Sequence, residues 1–398
     1  MLDQILTFLD QGLLDLSAWQ IVGVTLVLVQ ITIAAVTIYL HRHQAHRGLD
    51  MNPVLAHFFR FWLWTTTGML TKQWVAIHRK HHAKCETEED PHSPMVEGIG
   101  KVMWDGVGLY KAEAQKQETM KDYGHGTPDD WMENKVYTNF KQGGIYLNLV
   151  IDILLFGVAG IVVWAVQMSW IPFHAAGIIN GAGHYWGYRN YETQDAATNL
   201  WPVAFWIGGE ELHNNHHAFP SSAKFSMKWW EFDIGWLYIQ TLSAVGLVKV
   251  KKVAPKPHLD ANRDTIDLET IKAIFANRLH VMANYAKQVT LPVLSQQSCK
   301  DGACQKALRK AKTLLIREYP KMDEASKTEL NEVLSTNQEL ETVYKFRIQL
   351  QEVWGRAAAN HDTLVVALKE WCAQAEDTGI KVLQDFARSL KNYTPVAV

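Results

Sequence analysis

The sequence predicts an all-α fold: a helical integral-membrane protein with a histidine-rich cytoplasmic cap and an α-helical C-terminal region. Three observations support this. Long uncharged runs occur within residues 1–252, histidines cluster beside these runs, and the remainder is rich in Leu, Ala, Glu and Lys. We therefore expect a membrane domain at 1–252, a Pro/Lys-rich linker at 253–263, and a soluble helical region of unknown role at 264–398.

Three apolar segments are expected to cross the membrane. Residues 19–40 carry no charge over 22 positions, and a helix of that length spans a hydrocarbon core of about 30 Å. Residues 145–168 carry one charge, Asp152, and a short turn near 169–172 leads into a glycine-rich third run at 171–188. So short a turn predicts a hairpin that returns the chain to its starting side.

Two further apolar segments are expected at the membrane interface. Residues 54–70 are near the lower length limit for a crossing and contain His57 and Arg60. Residues 229–248 are rich in Trp and are followed by lysines, which is typical of an interfacial helix with a cytoplasmic end. The N-terminus lacks a basic region, so we expect no cleaved signal peptide.

Composition excludes several classes of function. The formal net charge is -2 and no basic domain stands out, so we expect no nucleic-acid partner. The four Cys show neither zinc-type nor haem-type spacing, and a disulfide scaffold is not expected. Flavin and nicotinamide fingerprints are also absent from the sequence. Any redox chemistry would therefore depend on metal ions.

Nine histidines and one asparagine form a candidate metal-ligand set. Its members are His41, His46, His78, His81, His82, Asn180, His184, His213, His216 and His217. In the second and third histidine clusters the spacing is i, i+3, i+4, which shares one face of a helix, and Asn180 and His184 are four apart. His41 and His46 are five apart. Either the helix ends between them or they serve different ions.

The size and placement of this set predict two metal ions in one place. Nine imidazoles exceed the needs of one ion and suit two ions with four or five each, Asn180 and water taking open positions. Imidazole binds Fe, Zn and Cu, so the count does not assign the metal. The clusters can meet only if they lie on one side of the membrane. Nearby Lys and Arg indicate the cytoplasmic side.

The remaining histidines are interpreted differently. Isolated histidines usually have structural roles, and we assign that role to His57, His174, His258, His280 and His361. We expect His43 to lie behind the ligands or to point away from them, and we assign no role to His92 or His125.

The histidine motifs resemble those of the integral-membrane fatty acid desaturase family, specifically the bacterial type of its Δ9 acyl desaturase branch. The family pattern is H-x4-H-R, H-R-x-H-H, N-x3-H and H-N-x-H-H-A-F-P. The matching segments start at His41, His78, Asn180 and His213, and Asp90-Pro91-His92 is also similar to the family. The resemblance covers about residues 20–240.

The resemblance implies a function. The nine histidines would hold two Fe ions, with Asn180 acting through a water, and O2 would be the co-substrate. The product would be a cis double bond, at Δ9, in a long saturated acyl chain for unsaturated fatty acid biosynthesis. A separate ferredoxin or flavin/iron–sulfur reductase would supply electrons, since no HPGG haem motif occurs. The enzyme would lie in the bacterial inner membrane, surrounded by lipid, with its active site facing the cytoplasm.

The acyl carrier is left open by one departure from the family. Animal acyl-CoA desaturases have an Arg-Asp pair that contacts CoA just before the second box, where this chain has Ala76-Ile77. The substrate is therefore acyl-CoA or a phospholipid acyl chain. Trp62, Trp64, Trp74 and residues of 145–188 are expected to line the acyl tunnel.

Two other functions are compatible with the metal-ligand set. One is a membrane di-iron hydroxylase of lipids or alkanes, although alkane hydroxylases have differently spaced histidine boxes. The other is a non-catalytic membrane metal-binding protein, which would hold labile zinc or copper and consume no O2.

Overall fold

A computed structural model describes residues 2–296, 311–312, 314–317, 319, 322, 324–335, 337–355 and 361–395. Its secondary structure is overwhelmingly helical, and the strands are two or three residues long. The all-α prediction is thus confirmed. The chain forms two compact units: Met1–Arg189 with Asp195–Ala254, and Asn190–Gln194 with Pro255–Val398.

The first unit contains the apolar segments and every candidate metal ligand. Its helices are α1 (Leu2–Gln11), α2 (Ala18–Ala34), π1 (Ala35–Ala45), α3 (Pro53–Thr67), α4 (Thr71–Lys84), α5 (Ile99–Ala114), α6 (Gln117–Tyr123), π2 (Met132–Tyr137), α7 (Gly143–Phe156), α8 (Ala159–Ile171), π3 (Pro172–Ile179), a 3₁₀ turn (Ala182–His184), α9 (His213–Ala218) and α10 (Ile234–Ala244). Its short strands are β1 (Leu49–Met51), β2 (Val203–Ala204), β3 (Phe232–Asp233) and β4 (Val248–Val250). β1 pairs with β4 antiparallel, and β2 pairs with β3 in parallel.

Two continuous helices of this unit are long and apolar enough to cross a membrane. They are Ala18–Ala45, which joins α2 to π1, and Ala159–His184. The first begins at a capping box, in which the Ser17 backbone N–H donates to Gln20 Oε1 at 2.9 Å. Helix α7 is also apolar but shorter.

The hairpin turn lies earlier than the sequence analysis placed it. Helix α7 ends at Phe156, and the next helix continues through 169–172, where the turn was expected. The break occurs at Gly157, whose φ of 63° and ψ of -143° end the helix in a conformation that favours glycine. Pro172 does not end the helix because it is the first residue of π3.

Helices α7 and α8 pack closely around the one charged residue of the hairpin. The Asp152 carboxylate accepts from Asn148 Nδ2 at 3.1 Å and from Gln167 Nε2 at 2.8 Å. Gly160 allows the close approach, because a Cβ there would lie 2.1 Å from the Asp152 carbonyl oxygen. A buried carboxylate is thus held by amide donors from both helices.

The two segments assigned to the interface are helical over narrower bounds. Helix α3 begins with Pro53 at its first position and an Asn52 cap that accepts from Val54 N at 2.9 Å, and it ends at Gly68 with φ 64°. Helix α10 starts at Ile234 rather than at 229, because the Asp233 side chain caps it by accepting from Trp236 N at 2.9 Å.

The second unit is a small helical domain with its own apolar core. Among its described residues the helices are α11 (Leu268–Ala276), α12 (Arg278–Tyr285), π4 (Ala286–Thr290), α13 (Leu291–Ser295), α14 (Glu324–Ser335), α15 (Gln338–Gly355), α16 (His361–Asp377) and α17 (Lys381–Leu390). Strands β5 (His258–Leu259) and β6 (Tyr393–Thr394) pair antiparallel. Tyr285, Leu368 and Leu383 are fully buried in its core.

Candidate metal centre

Four short elements of the first unit carry the nine candidate histidines. They are π1 with His41 and, directly after its end, His46; α4 with His78, His81 and His82; the 3₁₀ turn with His184; and α9 with His213, His216 and His217. Helices α4 and α9 thus present their i, i+3, i+4 sets as the spacing predicts. His184 lies in a 3₁₀ turn, so its relation to Asn180 is not that of a regular α-helix.

Five of the nine histidines form a first group. They are His41, His46, His78, His82 and His216, whose candidate ligand nitrogens all lie within 4.8 Å of one another. Three contacts between Nε2 atoms are short: 2.8 Å for His46 and His78, 2.8 Å for His82 and His216, and 3.0 Å for His41 and His216. Three separate elements therefore aim imidazoles at one point.

The π-helix explains how His41 and His46 join the same group. The backbone N–H of His46 donates to the His41 carbonyl at 3.1 Å, which is an i to i+5 bond. The wider turn brings residues five apart onto one side, and π-helical turns often occur at functional sites. Of the two alternatives given for this spacing, the first agrees with the structure, because the helical segment ends at Ala45, between the two histidines. The second, different ions for the two histidines, does not fit the single five-histidine group that contains both.

The other four histidines form a second group. Candidate ligand atoms of His81, His184 and His217 lie within 4.8 Å of one another and of Cys85. His213 joins them, with its Nε2 2.9 Å from the Nε2 of His184. The groups are adjacent: the His82 and His217 rings stack with centroids 4.3 Å apart.

Four carboxylates contact the Nδ1 atoms on the far side of the ligand imidazoles. The contacts are Glu210 to His41 at 2.8 Å, Asp90 to His81 at 2.9 Å, Asp195 to His217 at 2.9 Å and Glu86 to His184 at 3.4 Å. A carboxylate accepting from Nδ1–H leaves the Nε2 lone pair facing a metal, a recurring arrangement in metal sites. Sequence reasoning missed these roles. Only Asp90 had been noted, as part of the Asp-Pro-His motif.

Burial favours the neutral form of four imidazoles of the centre, those of His46, His78, His82 and His217. It lowers the pKa of His46 to about 3 and that of His217 to about 4, and it holds the pKa of His78 and His82 well below the usual histidine value. Neighbouring imidazoles and Arg79 contribute in the same direction at His46. Neutral imidazole is the form that binds metal ions, so these four side chains need not lose protons first.

The nitrogen positions fit metal ions. Donors about 2.1 Å from an ion lie about 3.0 Å apart at right angles and about 3.4 Å apart in a tetrahedron. The observed 2.8–3.0 Å contacts lie close to the right-angle value, so these pairs of nitrogens can share an ion. His216 Nε2 approaches two other Nε2 atoms, which a single ring proton cannot serve, and the buried His217 Nε2 has no hydrogen-bond partner in the described chain. One cation in the first group would satisfy His216, and a second cation in the other group would satisfy His217.

An apolar cavity of about 190 Å³ opens beside the first group. His78, His92 and Asn180 line it together with Trp74, and most of the remaining wall comes from α5, α8 and π3. Trp62 and Trp64 were expected in this lining but lie outside it. Their indole N–H groups donate instead to Thr32 Oγ1 at 2.9 Å and to the Phe140 carbonyl at 3.1 Å.

The histidines outside the ligand set have other polar partners. His43 Nδ1 contacts the Leu49 carbonyl at 3.0 Å. Corresponding contacts join His57 to Arg60, His174 to Trp170, His258 to Thr394 and His280 to Pro255. The side chain of His361 lies outside the described part of the structure. The His92 ring is 4.3 Å from that of His81, a proximity that the sequence analysis did not assign.

Comparison with known proteins gives two family matches. A family model described as fatty acid desaturase matches residues 17–244, more than half of the chain and all of the ligands. A second model, described as transposase, matches residues 271–396, which is less than half of the chain and establishes no membership.

Individual relatives match the same part of the chain. The sn-1 stearoyl-lipid 9-desaturase of Anabaena variabilis is 32% identical over 249 residues, which are 60% of this chain and 86% of that protein. The sn-1 stearoyl-lipid 9-desaturase of Synechocystis is 31% identical over 248 residues, covering 60% and 74%. The icosanoyl-CoA 5-desaturase of Limnanthes douglasii is 32% identical over 245 residues, covering 58% and 65%.

Proposed function

Because the chain belongs to the fatty acid desaturase family, whose members are membrane-associated oxidoreductases of acyl substrates, we propose that it is a di-iron, O2-dependent acyl desaturase. It introduces a cis double bond at Δ9 of a long saturated chain. One observation carries the proposal. Nine imidazoles converge in two adjacent groups, backed by carboxylates, beside an apolar cavity.

The first group would hold one iron and the second group the other. Bound iron would supply the activation of O2 and the oxidising power to remove two hydrogens from unactivated methylenes, which no side chain provides. Burial keeps the imidazoles of His46 and His217 neutral. Carboxylates that contact Nδ1 orient the rings of His41 and His217. Asn180, in the cavity wall with His78, is placed to hold a water.

The apolar cavity positions the acyl chain. Gly106, Val107, Ala175 and Ala176 form an uncharged part of its wall, and Trp74 stacks on the His78 ring with centroids 4.8 Å apart. Such a lining excludes water and places one carbon pair next to the first histidine group. The position of the double bond would then follow from how far the chain enters.

Two lysines in the cavity lining suggest a phosphate-bearing acyl carrier. Lys111 and Lys141 both line the cavity, and within the described chain neither has a carboxylate within ion-pair distance. Lys141 Nζ donates to Gln73 Oε1 at 3.1 Å, and burial together with the charge of Lys111 lowers the pKa of Lys141. Two unneutralised ammonium groups attract an anion. Coenzyme A and phospholipids both carry phosphate.

The structure explains why Ala76 and Ile77 can stand where animal acyl-CoA desaturases have an Arg-Asp pair. Ala76 is fully buried and Ile77 lines the apolar cavity, so neither faces a polar headgroup. We therefore favour a phospholipid-bound acyl chain and keep acyl-CoA as the alternative.

The proposed setting follows the sequence analysis. The domain at 1–252 lies in the bacterial inner membrane with its metal centre on the cytoplasmic side, and 264–398 is a soluble appendage joined by 253–263. The two membrane crossings that form the hairpin are α7 and the continuous helix made of α8 and π3. Electrons come from a separate ferredoxin or flavin/iron–sulfur reductase.

The decisive test supplies defined substrates to the full chain in nanodiscs with a reduced ferredoxin and O2. The substrates are a stearoyl phospholipid, stearoyl-CoA and a stearoyl galactolipid that lacks phosphate. We expect a Δ9 product from the phospholipid, located by mass spectrometry, and little from the galactolipid. Oxygen-18 retained in a hydroxylated product would contradict desaturation, and equal turnover of the galactolipid would contradict the phosphate requirement.

A further inference from the structure

A thiol lies beside the second histidine group. Cys85 follows the last residue of α4 and is four positions after His81, so both side chains lie on one side of the helix end. Its Sγ is 3.8 Å from His81 Nε2. It is also 4.0 Å from His184 Nδ1, which is the nitrogen facing Glu86 and not the one facing His213. The sulfur also lies within 4.8 Å of the candidate ligand atom of His217.

His217 provides an independent sign of a ligand at this place. Its side chain is 1% exposed, and its Nδ1 is held by Asp195 at 2.9 Å. Its Nε2 is buried without a hydrogen-bond partner in the described structure. An acceptor nitrogen buried in this way is costly unless a cation or a donor meets it.

The loop after α4 fixes the position of the thiol. Glu86 has a φ of 62°, which turns the chain sharply after Cys85. Its backbone N–H donates to Asp90 Oδ2 at 2.7 Å, while Asp90 Oδ1 contacts His81 Nδ1 at 2.9 Å. The same carboxylate thus orients a ligand imidazole and anchors the residue next to the thiol.

The distances are compatible with sulfur and nitrogen sharing one ion. With a metal–sulfur distance of about 2.3 Å and a metal–nitrogen distance of about 2.1 Å, the two donors lie between about 3.1 Å and 4.4 Å apart for angles from 90° to 180°. The 3.8 Å between Cys85 Sγ and His81 Nε2 falls inside this range. The first group offers five imidazoles and the second offers four, so the second has one imidazole donor fewer than the first.

We propose that Cys85 is a ligand of the metal ion in the second histidine group, which makes that position a mixed sulfur–nitrogen site. The proposal rests on the di-metal function proposed above. A thiol bound to a metal ion is deprotonated, and its soft sulfur donates more charge than the water that would otherwise complete the site. The two metal positions are therefore unequal in ligand chemistry.

Iron X-ray absorption on the full chain, purified in detergent from iron-supplied cells, tests the assignment. Iron per chain is measured on the same sample. We expect about two irons and a sulfur shell near 2.3 Å with about 0.5 sulfur per iron, because one thiolate serves two ions. Cys85→Ser should lose this shell, and its ferric form should lose the thiolate-to-iron charge-transfer absorption, while both irons remain on the histidines.

Cys372→Ser is the matched control. Cys372 is buried in the second unit, where its thiol donates to the Ala387 carbonyl at 3.7 Å, so its replacement should leave the sulfur shell unchanged. Two irons surrounded only by nitrogen and oxygen in the wild-type chain would overturn the assignment of Cys85 and leave the di-iron proposal standing. A chain without bound iron would overturn both. If Cys85→Ser fails to fold, the presence or absence of the sulfur shell in the wild-type spectrum still tests whether Cys85 binds the metal ion.

Discussion

Glu210 offers a direct test of the carboxylates behind the metal ligands. Its Oε1 contacts His41 Nδ1 at 2.8 Å and accepts from the Thr37 hydroxyl at 2.6 Å, and all three side chains are buried. In Glu210→Ala the Thr37 hydroxyl can turn to the Gly208 carbonyl, which is already 3.0 Å away. His41 Nδ1 has no such alternative, so the variant loses one charge-assisted hydrogen bond to a metal ligand.

The magnitude follows from that single loss. A hydrogen bond to a charged group contributes about 1.5–3 kcal/mol. Loss of such a partner typically weakens metal affinity by about 10–100-fold, which corresponds to about 1.4–2.7 kcal/mol, so the two estimates agree. Glu210→Gln keeps an acceptor oxygen but not the charge, and since neutral hydrogen bonds are about half as strong, we expect a loss of about 3–10-fold.

Iron retention during titration with a chelator measures the effect. Half of the iron should be lost at a free chelator concentration about 10–100-fold lower for Glu210→Ala than for wild type, and Glu210→Gln should lie between them. Asp385→Ala, an exposed change in the second unit, serves as the control and should behave as wild type. If Glu210→Ala retained iron as tightly as wild type, the role given to the carboxylate would be refuted.

Three further predictions concern the metal, the cavity and the second unit. Chelation should abolish desaturation, and Fe²⁺ but not Zn²⁺ should restore it; an active zinc-loaded chain would contradict the redox role. Ala176→Phe should fill part of the cavity and lower turnover of an 18-carbon chain at least about 10-fold while iron per chain is unchanged, and a rate equal to wild type would place the acyl chain elsewhere. Leu368→Ala should lower the stability of the second unit by about 2–5 kcal/mol, seen as a lower thermal midpoint, without loss of iron; simultaneous iron loss would argue against an independent second unit.

The parts of the centre that sequence predicted are those set by local helical spacing. The histidines of α4 and α9 lie on regular helical turns, so the i, i+3, i+4 rule placed them correctly. His41 and His46 did not obey that rule, because a π-helical segment changes which residues share a face, and propensity does not reveal such a segment. The turn was misplaced because Pro172 suggested a break and Gly157 was taken as part of a long apolar run.

Contacts between distant parts of the chain were beyond sequence reasoning. Glu210 lies 169 residues from His41, and Asp195 lies 22 residues from His217 in irregular backbone, so spacing gave no sign of either pair. Cys85 was dismissed because no second cysteine accompanies it at a metal-binding interval. Its position four residues after His81 was the available signal, since a single thiol needs only to share a helix side with histidine ligands.

The order of the ligands along the chain bears on how the enzyme is assembled during synthesis. Four imidazoles of the first group come from π1, the residue that follows it and α4, and only His216 comes later in the chain. The second group has His81 and Cys85 early, and it gains His184, His213 and His217 only after the α7–α8 hairpin. If two irons bind as proposed, the first position has four of its five imidazoles before the hairpin is made, whereas the second gains most of its ligands only after it. The proposed di-iron centre would then acquire its first ion earlier in synthesis than its second.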